Sequence, residues 1–204
     1  KTRPPGAGPK NPALFPERNL RRRVDDRVVI VTGASSGIGE QVAKKVGEGG
    51  ARVVMIARRL DALEAVAEEI RDEGGVASTY SCDLTDFEQV DEVVEQIITD
   101  HGAIHVLINN AGRSIRRSVF ESLGRFHDYE RTMKLNYFGA IRMITQVLPT
   151  MVEQDDGHII NISSIGVLSN APRFSAYVAS KAALDAFSRS IAAEVRDHGV
   201  EIST

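Results

Sequence analysis

Short apolar runs alternate with longer amphipathic stretches from about residue 28 to the end of the chain. The apolar runs predict six strands, at residues 28–31, 52–56, 77–80, 104–108, 158–162 and from 200 onward. The amphipathic stretches predict helices at residues 37–48, 60–72, 86–101, about 126–153 and 175–197. In the second of these helices apolar residues recur at helical spacing on one face, at Leu63, Val66, Ala67 and Ile70.

Strands that are apolar throughout and separated by helices are typical of a parallel sheet covered on both faces. Right-handed crossovers then produce a doubly wound α/β sheet, the Rossmann fold. The length of 204 residues suits one domain with its own core. Because the chain ends at Thr204, we expect this domain, residues 24–204, to be truncated after the start of strand six.

Residues 1–23 differ in composition from the rest of the chain. They contain five of the seven prolines and seven basic residues against one acid, or +6, whereas the other 181 residues carry 18 basic and 27 acidic side chains, or −9. Such a segment is predicted to be extended or disordered. A basic tail can indicate nucleic-acid binding, but no aromatic interleaving or nucleic-acid fold signal supports that interpretation. A linker from an upstream domain is favoured instead.

Other features of the sequence bear on the cellular compartment of the protein and on whether it binds a metal. Cys82 is the only cysteine, so the chain forms no internal disulfide and implies no oxidising compartment. No apolar run approaches the roughly 20 residues of a membrane helix, and the N-terminus lacks the apolar core of a signal peptide. The five histidines show no metal-ligand spacing, so no metal site is predicted. We expect a cytoplasmic protein.

A glycine-rich turn, residues 32–39, joins the first strand to the first helix. Glycine is needed where a side chain would keep the backbone from a pyrophosphate or the helix from the sheet. The free N–H groups and the positive end of the helix can then hold the anion. This strand–turn–helix context favours dinucleotide binding over a purely structural turn. The predicted cofactor-binding residues of the turn are Gly33, Ser35, Ser36, Gly37, Ile38 and Gly39.

The end of the second strand indicates which dinucleotide binds. An NAD site places an acidic residue there to hold the ribose 2′-hydroxyl, whereas this chain has Arg58 and Arg59. A guanidinium can hold a 2′-phosphate that a carboxylate would repel. We therefore predict NADP(H), with Arg58 as the main ligand and Arg59 as support or as a stacking partner of the adenine. Alternatively, both arginines are ordinary surface charges at the start of a helix.

Tyr177 and Lys181 lie four residues apart in the last predicted helix and therefore on the same face. A nearby ammonium stabilises the phenolate, which makes a tyrosine usable in acid–base chemistry near neutral pH. A half-buried core tyrosine is the plain alternative. A catalytic role for the pair is favoured by Ser164 after strand five and by residues 109–112 after strand four, because ligands lie beyond the carboxyl ends of parallel strands. Ser164 is preferred over Ser163 for its spacing from Tyr177.

Together these motifs resemble the short-chain dehydrogenase/reductase family. The matching positions span residues 28–204 in the family's order: 32–39, Asp83, 109–112, Asn136, Ser164, Tyr177 and Lys181. The resemblance implies that Tyr177 is the general acid and also contacts the cofactor, and that Lys181 assists it and binds the nicotinamide ribose. It also implies that Ser164 orients a carbonyl and that Asn136 holds a water of the proton relay. The remaining cofactor-lining residues implied are Asp83, Leu84, Asn110, Ala111 and Gly112.

Asp83 also has an interpretation of its own. After the third strand its carboxylate can accept a hydrogen bond from the adenine amino group, or it can be a loop acid or cap.

The family resemblance further implies a homodimer or homotetramer formed through the two longest helices, about 126–153 and 175–198. It implies as well that the chain ends before the family's Pro-Gly-like segment and substrate loop, so that one wall of the substrate pocket is missing.

Three stretches, 113–120, 126–132 and 165–170, resemble bacterial fatty acyl-CoA reductases of this family. The implied reaction is NADPH-dependent reduction of a small-molecule carbonyl or thioester, fatty acyl-CoA to fatty aldehyde. The implied site has Arg113, Arg116 and Arg117 on the coenzyme A phosphates and Ile165, Val167 and Leu168 along an acyl channel. A solvated basic loop and ordinary packing are the alternative for these residues. Reduction or oxidation of another lipid-like or 3-oxo substrate, or nucleotide sensing without turnover, are the alternative functions.

Overall fold

The computed structural model describes residues 17–204 and contains one parallel six-stranded sheet. The strands are β1 Val28–Thr32, β2 Arg52–Ala57, β3 Val76–Ser81, β4 Val106–Asn109, β5 Gly157–Asn161 and β6 Val200–Ser203. Their order across the sheet is β3-β2-β1-β4-β5-β6, with parallel pairing throughout. The doubly wound α/β fold predicted from the sequence is thereby confirmed. The strand order reverses between β1 and β4, which is where ligands bind in such sheets.

The helices follow the predicted pattern with three additions. They are α1 Glu17–Val24, α2 Gly37–Glu48, α3 Leu60–Asp72, α4 Phe87–His101, α5 Phe126–Met133, α6 Ala140–Glu153, α7 Gly166–Ser169 and α8 Ser175–Arg196. A π-helical turn, Lys134–Gly139, joins α5 to α6 within the long helical region predicted at 126–153. The additions are α1, α7 and a short 3₁₀ turn at Phe120–Ser122.

Helix α1 corrects one expectation. Residues 17–23 belong to the segment predicted to be extended or disordered, and the structure places them in a helix instead. Val24 is buried and Leu20 is partly buried against the apolar layer that covers one face of the sheet. This apolar contact offsets the repulsion within the basic run Arg21–Arg23. Residues 1–16, the remainder of the predicted linker, lie outside the described residues.

Alternate side chains of each strand enter two different apolar layers. In β1, Val29 and Val31 pack into the layer that includes α2 and α3, whereas Val28 and Ile30 pack into the layer that includes α4 and α6. Burial on both faces explains why the strand is apolar at every position. Within residues 17–204 we find no helix of the length and apolar character needed to cross a bilayer.

Candidate active site

A cavity of about 430 Å³ opens at the carboxyl ends of β1, β2, β3 and β4. Its lining brings together most of the predicted cofactor residues: Gly33, Ser35, Ser36, Ile38, Arg58, Arg59, Asp83, Leu84, Asn110, Ala111 and Gly112. It also includes residues that the sequence did not single out: Ile56, Ala57, Cys82 and Leu135. The predicted residues Gly37 and Gly39 lie in the same turn without lining the cavity.

The glycines of the turn are required by space and by backbone conformation. A Cβ on Gly39 would lie 2.3 Å from the Gly33 carbonyl oxygen, and a Cβ on Gly33 would lie 2.8 Å from Ala111 Cα. Gly37 has a φ of +62° and faces open space. The turn therefore packs closely against residues 110–111 on one side and is open on the other. That open backbone at the start of α2 suits a pyrophosphate group.

Thr32, a residue not predicted as functional, ties this turn to the segment after β4. Its buried hydroxyl oxygen accepts hydrogen bonds from the backbone N–H groups of Asn110 and Ala111, each at 3.1 Å. Asn110 Nδ2 in turn donates to the Thr32 carbonyl oxygen at 3.1 Å. Asn110 therefore holds the two segments together as well as lining the cavity. The signal in the sequence is a hydroxyl residue ending an otherwise apolar strand.

Arg58 and Arg59 line the cavity with exposed side chains. Within residues 17–204 neither guanidinium pairs with a carboxylate, so both are available to an anionic ligand. Asp83 lines the same cavity, while its Oδ1 accepts hydrogen bonds from the backbone N–H and the hydroxyl of Thr85, at 2.9 and 2.8 Å. Asp83 thus closes its own turn as a loop acid, and its bond to an adenine stays a prediction.

Lys181, in α8, is buried beside the segment that follows β5. Its side chain is almost fully enclosed, with 3% of the residue exposed, and its Nζ donates to the Ile162 carbonyl oxygen at 2.7 Å. Burial lowers the pKa of this ammonium to about 8. A Cβ on Gly112 would lie 3.6 Å from Lys181 Nζ and 3.2 Å from Asn136 Oδ1. The structure therefore brings Gly112, Asn136 and Lys181 together, as predicted.

Asn136 lies in the π-helical turn, and both N–H groups of its side-chain amide donate hydrogen bonds. Its Nδ2 donates to the Arg113 carbonyl oxygen at 2.9 Å and to Ser180 Oγ at 3.0 Å, and its Oδ1 accepts from the Arg113 N–H at 2.9 Å. A water of the predicted relay can therefore meet the Asn136 side chain only through Oδ1. Ser180, which no motif in the sequence indicates, donates onward to the Tyr177 carbonyl oxygen at 2.7 Å.

Tyr177 is half-buried in the first turn of α8, one helical turn before Lys181. Its hydroxyl makes no hydrogen bond with the described residues, so it is free to meet a ligand.

A series of hydrogen bonds between buried polar side chains connects α8 to the sheet. Asn109 Nδ2 donates to Asn161 Oδ1 at 2.9 Å, and Asn161 Nδ2 donates to Ser188 Oγ at 2.8 Å. The chain links β4, β5 and α8 beneath the candidate catalytic residues.

A second cleft of about 430 Å³ adjoins the end of β5. Its lining is Ser163, Ser164, Ile165, Val167, Leu168, Asp185 and Thr204. Ser164 Oγ accepts a hydrogen bond from the Gly166 backbone N–H at 3.1 Å, which leaves the hydroxyl hydrogen available for donation. Because both serines face this cleft, the preference for Ser164 over Ser163 stays a prediction.

The three arginines proposed for coenzyme A do not have the same surroundings. Arg117 Nη1 is hydrogen-bonded to the buried carboxylate of Asp128, so part of the Arg117 guanidinium is already engaged within the protein. The contact of Arg117 with a coenzyme A phosphate therefore stays a prediction. Arg113 and Arg116 are exposed, and within residues 17–204 their side chains make no hydrogen bond or ion pair.

Comparison with known proteins agrees with this geometry. The family model described as short chain dehydrogenase matches residues 27–204. A fatty acyl-CoA reductase of Acinetobacter baylyi is 54% identical over 188 residues, which cover 92% of this chain and 64% of that protein. A fatty acyl-CoA reductase of Mycobacterium tuberculosis is 50% identical over 199 residues, covering 96% of this chain and 68% of that protein.

Solved structures lead to the same family. A metagenomic short-chain oxidoreductase in complex with NADP has a TM-score of 0.84 and 34% identity, covering 89% of this chain and 81% of that one. NAD⁺-bound xylitol dehydrogenase has a TM-score of 0.83 and 29% identity, covering 87% and 68%. The chain belongs to the short-chain dehydrogenase/reductase family. It spans 64% of the length of the Acinetobacter protein and 56% of a mycobacterial oxidoreductase that is 50% identical to it.

Proposed function

We propose that this protein is an NADPH-dependent reductase that converts a fatty acyl-CoA thioester to a fatty aldehyde. The observation that carries the proposal is the meeting of Gly112, Asn136 and the buried Lys181 ammonium at the carboxyl edge of the sheet, next to the half-buried Tyr177. Family membership supports the reaction class. The names of the Acinetobacter and Mycobacterium tuberculosis relatives support the substrate.

In this proposal the chain's own residues orient the carbonyl and supply the proton. Ser164 donates a hydrogen bond to the carbonyl oxygen, and Tyr177 donates the proton that this oxygen takes up. Lys181 stabilises the phenolate left on Tyr177, because its charge is enclosed where water screens it little. A bound nicotinamide supplies the hydride. The reduced thioester is a hemithioacetal, which expels the coenzyme A thiol to leave the aldehyde.

The preference for NADPH rests on the arginines at the end of β2. Arg58 and Arg59 line the cavity without carboxylate partners among the described residues, and no acid stands at the strand end to bind a ribose 2′-hydroxyl. A 2′-phosphate would meet two positive charges there. The NADP complex of the metagenomic relative supports this preference, and the NAD⁺ complex of xylitol dehydrogenase shows that the fold also accepts the other cofactor.

The apolar cleft beside Ser164 suits an acyl chain. Ile165 and Leu168 are 76% and 80% exposed, which is unusual for large apolar side chains, and both line the cleft that also holds Ser163 and Ser164. An acyl chain lying against them would bring its carbonyl carbon to the serine edge of the sheet. This arrangement supports a lipid-like substrate over a small polar one.

The test is to follow the oxidation of NADPH and of NADH by the full-length protein with short-, medium- and long-chain acyl-CoAs and with the matching aldehydes. We expect oxidation of NADPH with long acyl-CoAs and accumulation of the aldehyde. Absence of turnover with every acyl-CoA and fatty aldehyde would overturn the substrate assignment. Equal rates with NADH would overturn the cofactor assignment alone.

A further inference from the structure

The loop that follows Gly112, residues 113–117, is held at its first residue by the candidate catalytic centre. Asn136 bonds both backbone groups of Arg113, accepting from its N–H and donating to its carbonyl oxygen, each at 2.9 Å. A side-chain amide that pairs with both groups of one residue fixes that residue as a neighbouring strand would. The start of this loop, which we term the substrate-side loop, therefore has one defined position.

The last residue of the substrate-side loop is held by helix α5 and by the segment that precedes α8. The Arg117 backbone N–H donates to the Arg173 carbonyl oxygen at 2.7 Å, two residues before α8 begins. The Arg117 guanidinium bonds the carboxylate of Asp128 in the first turn of α5. Tyr129 and Ser175 contact each other at 3.2 Å through their hydroxyl oxygens, so α5 and the start of α8 are also joined directly. The loop thus ends where these two helices meet.

Asp128 is the centre of this second attachment. Its side chain is 5% exposed and is approached by Arg125 Nε at 3.0 Å, Arg131 Nη2 at 2.5 Å and His127 Nε2 at 3.3 Å, besides Arg117. Burial alone would raise the pKa of this carboxyl, but hydrogen bonds from Arg131 and Arg125 outweigh burial and hold it well below its usual range. Asp128 is therefore a permanent negative charge at neutral pH.

The partners of Asp128 differ in what they connect. Arg125, just before α5, and Arg131, within α5, are each three residues from Asp128, so these pairs connect neighbouring positions of one helical segment. Arg117 is eleven residues away and is the partner that joins α5 to another segment. A buried ion pair is weak evidence for stability, and its best attested use is to select one arrangement over others. The Arg117–Asp128 pair joins the end of the substrate-side loop to α5.

Two arginines of the same loop have no such attachment. Arg113 and Arg116 are exposed, and their side chains have no partner within residues 17–204. One arginine of the loop therefore anchors it, while two present positive charge next to the cofactor-lining Gly112. A ligand that carries phosphate groups outside the apolar cleft would meet these two charges.

We propose that Asp128 is a positioning residue: through Arg117 it fixes the substrate-side loop so that Arg113 and Arg116 face the phosphate groups of a coenzyme A thioester. This inference rests on the proposed function for the identity of the thioester. Asp128 itself lines neither the cofactor cavity nor the cleft beside Ser164. Its removal should weaken binding of the phosphate-bearing part of the substrate and leave the cofactor site unchanged.

The experiment compares Asp128→Asn and Arg117→Met with wild type in the full-length protein. We expect each variant to raise the Kd for free coenzyme A and the KM for acyl-CoA about tenfold, as for loss of one charge-assisted hydrogen bond. The KM for a fatty aldehyde, which has no phosphate, and the Kd for NADPH should change less than about twofold on the same scale. The double variant should be no worse than either single one, because both changes break the same link.

Asp91→Asn is the matched control. Asp91 also binds an arginine, Arg142, through both carboxylate oxygens, and this pair joins α4 to α6 away from the loop. It should leave the coenzyme A Kd unchanged. If Asp128→Asn does not fold, Arg117→Met decides, and Arg117→Lys should recover part of the binding.

Three results would overturn the inference: no binding of coenzyme A by wild type, an unchanged Kd in Arg117→Met, or equal losses for acyl-CoA and aldehyde. Binding of coenzyme A that depends on Asp128 in a protein without reductase turnover would instead overturn the proposed function and keep the inference.

Discussion

The two halves of the sheet form their parts of the site by different means. In the cofactor half, residues 28–84, backbone atoms shape the cavity, since Gly33 and Gly39 allow the turn to pack against its neighbours with no room for a Cβ. In the catalytic half, residues 106–204, buried polar side chains do so. Asn136 and Lys181 there are almost fully enclosed and hydrogen-bonded.

This difference determines which kind of substitution should impair each half of the site. The cofactor half is sensitive to added atoms, because its close contacts are backbone to backbone and cannot move apart cheaply. The catalytic half is sensitive to removed atoms, because each lost polar group leaves a buried partner unsatisfied or removes a charge. Substitutions that add or remove one small group therefore distinguish the half shaped by backbone atoms from the half shaped by buried polar side chains.

The largest effect is expected from Tyr177→Phe. Removing one oxygen leaves the ring in place and removes the proton donor, so kcat should fall about 1,000-fold, within the usual range for general acid catalysis. The Kd for NADPH should change little, because Tyr177 does not line the nucleotide cavity. Steady-state kinetics and fluorescence titration measure the two quantities.

Tyr137→Phe is the matched control for this oxygen. Tyr137 is half-buried in the π-helical turn, and its hydroxyl makes no hydrogen bond within residues 17–204. Its removal should change kcat less than about twofold, far below the effect of losing a general acid. A Tyr177→Phe enzyme that keeps most of its turnover would show that the proton comes from another group.

The next largest effect is expected from Arg58→Ala in the cofactor half. Loss of a charge-assisted contact to a 2′-phosphate should raise the KM for NADPH about 10- to 100-fold. The KM for NADH, which lacks that phosphate, should stay within about twofold. Arg22→Ala, an exposed arginine in α1, is the control for loss of one positive charge. Equal effects on both cofactors would refute the NADPH assignment.

Gly39→Ala tests the claim about added atoms. The new Cβ would lie 2.3 Å from the Gly33 carbonyl oxygen and 2.5 Å from Asn110 Nδ2, so the turn must shift. We expect about tenfold weaker NADPH binding and a stability loss of about 1–3 kcal/mol, as for overpacking. Gly74→Ala is the control, because its φ of +85° strains the backbone while its Cβ would meet nothing within 4 Å. If both variants bind NADPH alike, lack of space is not what the turn requires.

The fold was predictable because its signals are local. Apolar runs and helical spacing give the strands and helices their positions, and the bounds predicted for α2 and α3 are confirmed. The longest element that was not predicted is α1, because the basic run Arg21–Arg23 and the preceding prolines dominate the composition around Leu20 and Val24. Their burial depends on the surface of α2, which no local pattern reveals.

The parts of the site that the sequence did not reveal depend on distant partners. Thr32 meets Asn110, which is 78 residues away, and Asp128 meets Arg117, which is eleven residues away across a segment with a 3₁₀ turn. The π-helical turn that carries Asn136 is also hidden, because one extra residue in a turn hardly alters the helical pattern around it. Motifs therefore identified the candidate catalytic residues, while the groups that position them became visible only in the fold.

The smallest of these effects is the pH response of Lys181, and it separates the chemistry of the catalytic half from its stability. Burial lowers the pKa of Lys181 to about 8, so the folded protein loses this charge well before the unfolded chain, whose lysines titrate near 10.5. Without the charge the Tyr177 phenolate is less stabilised, so kcat/KM should fall above pH 8, by about tenfold for each further pH unit.

Over the same range stability should change in the opposite direction. Between pH 8 and pH 10.5 the unfolded chain binds more protons at this site than the folded protein does, so the contribution of Lys181 to folding stability rises with pH. Lys181→Arg, which stays charged, should move the activity loss to higher pH. A denaturant midpoint that falls together with kcat/KM would point to unfolding, and a rate that is flat up to pH 9.5 would show that the Lys181 charge is not required. A falling rate in a protein that keeps or gains stability would instead assign the loss to the ammonium itself.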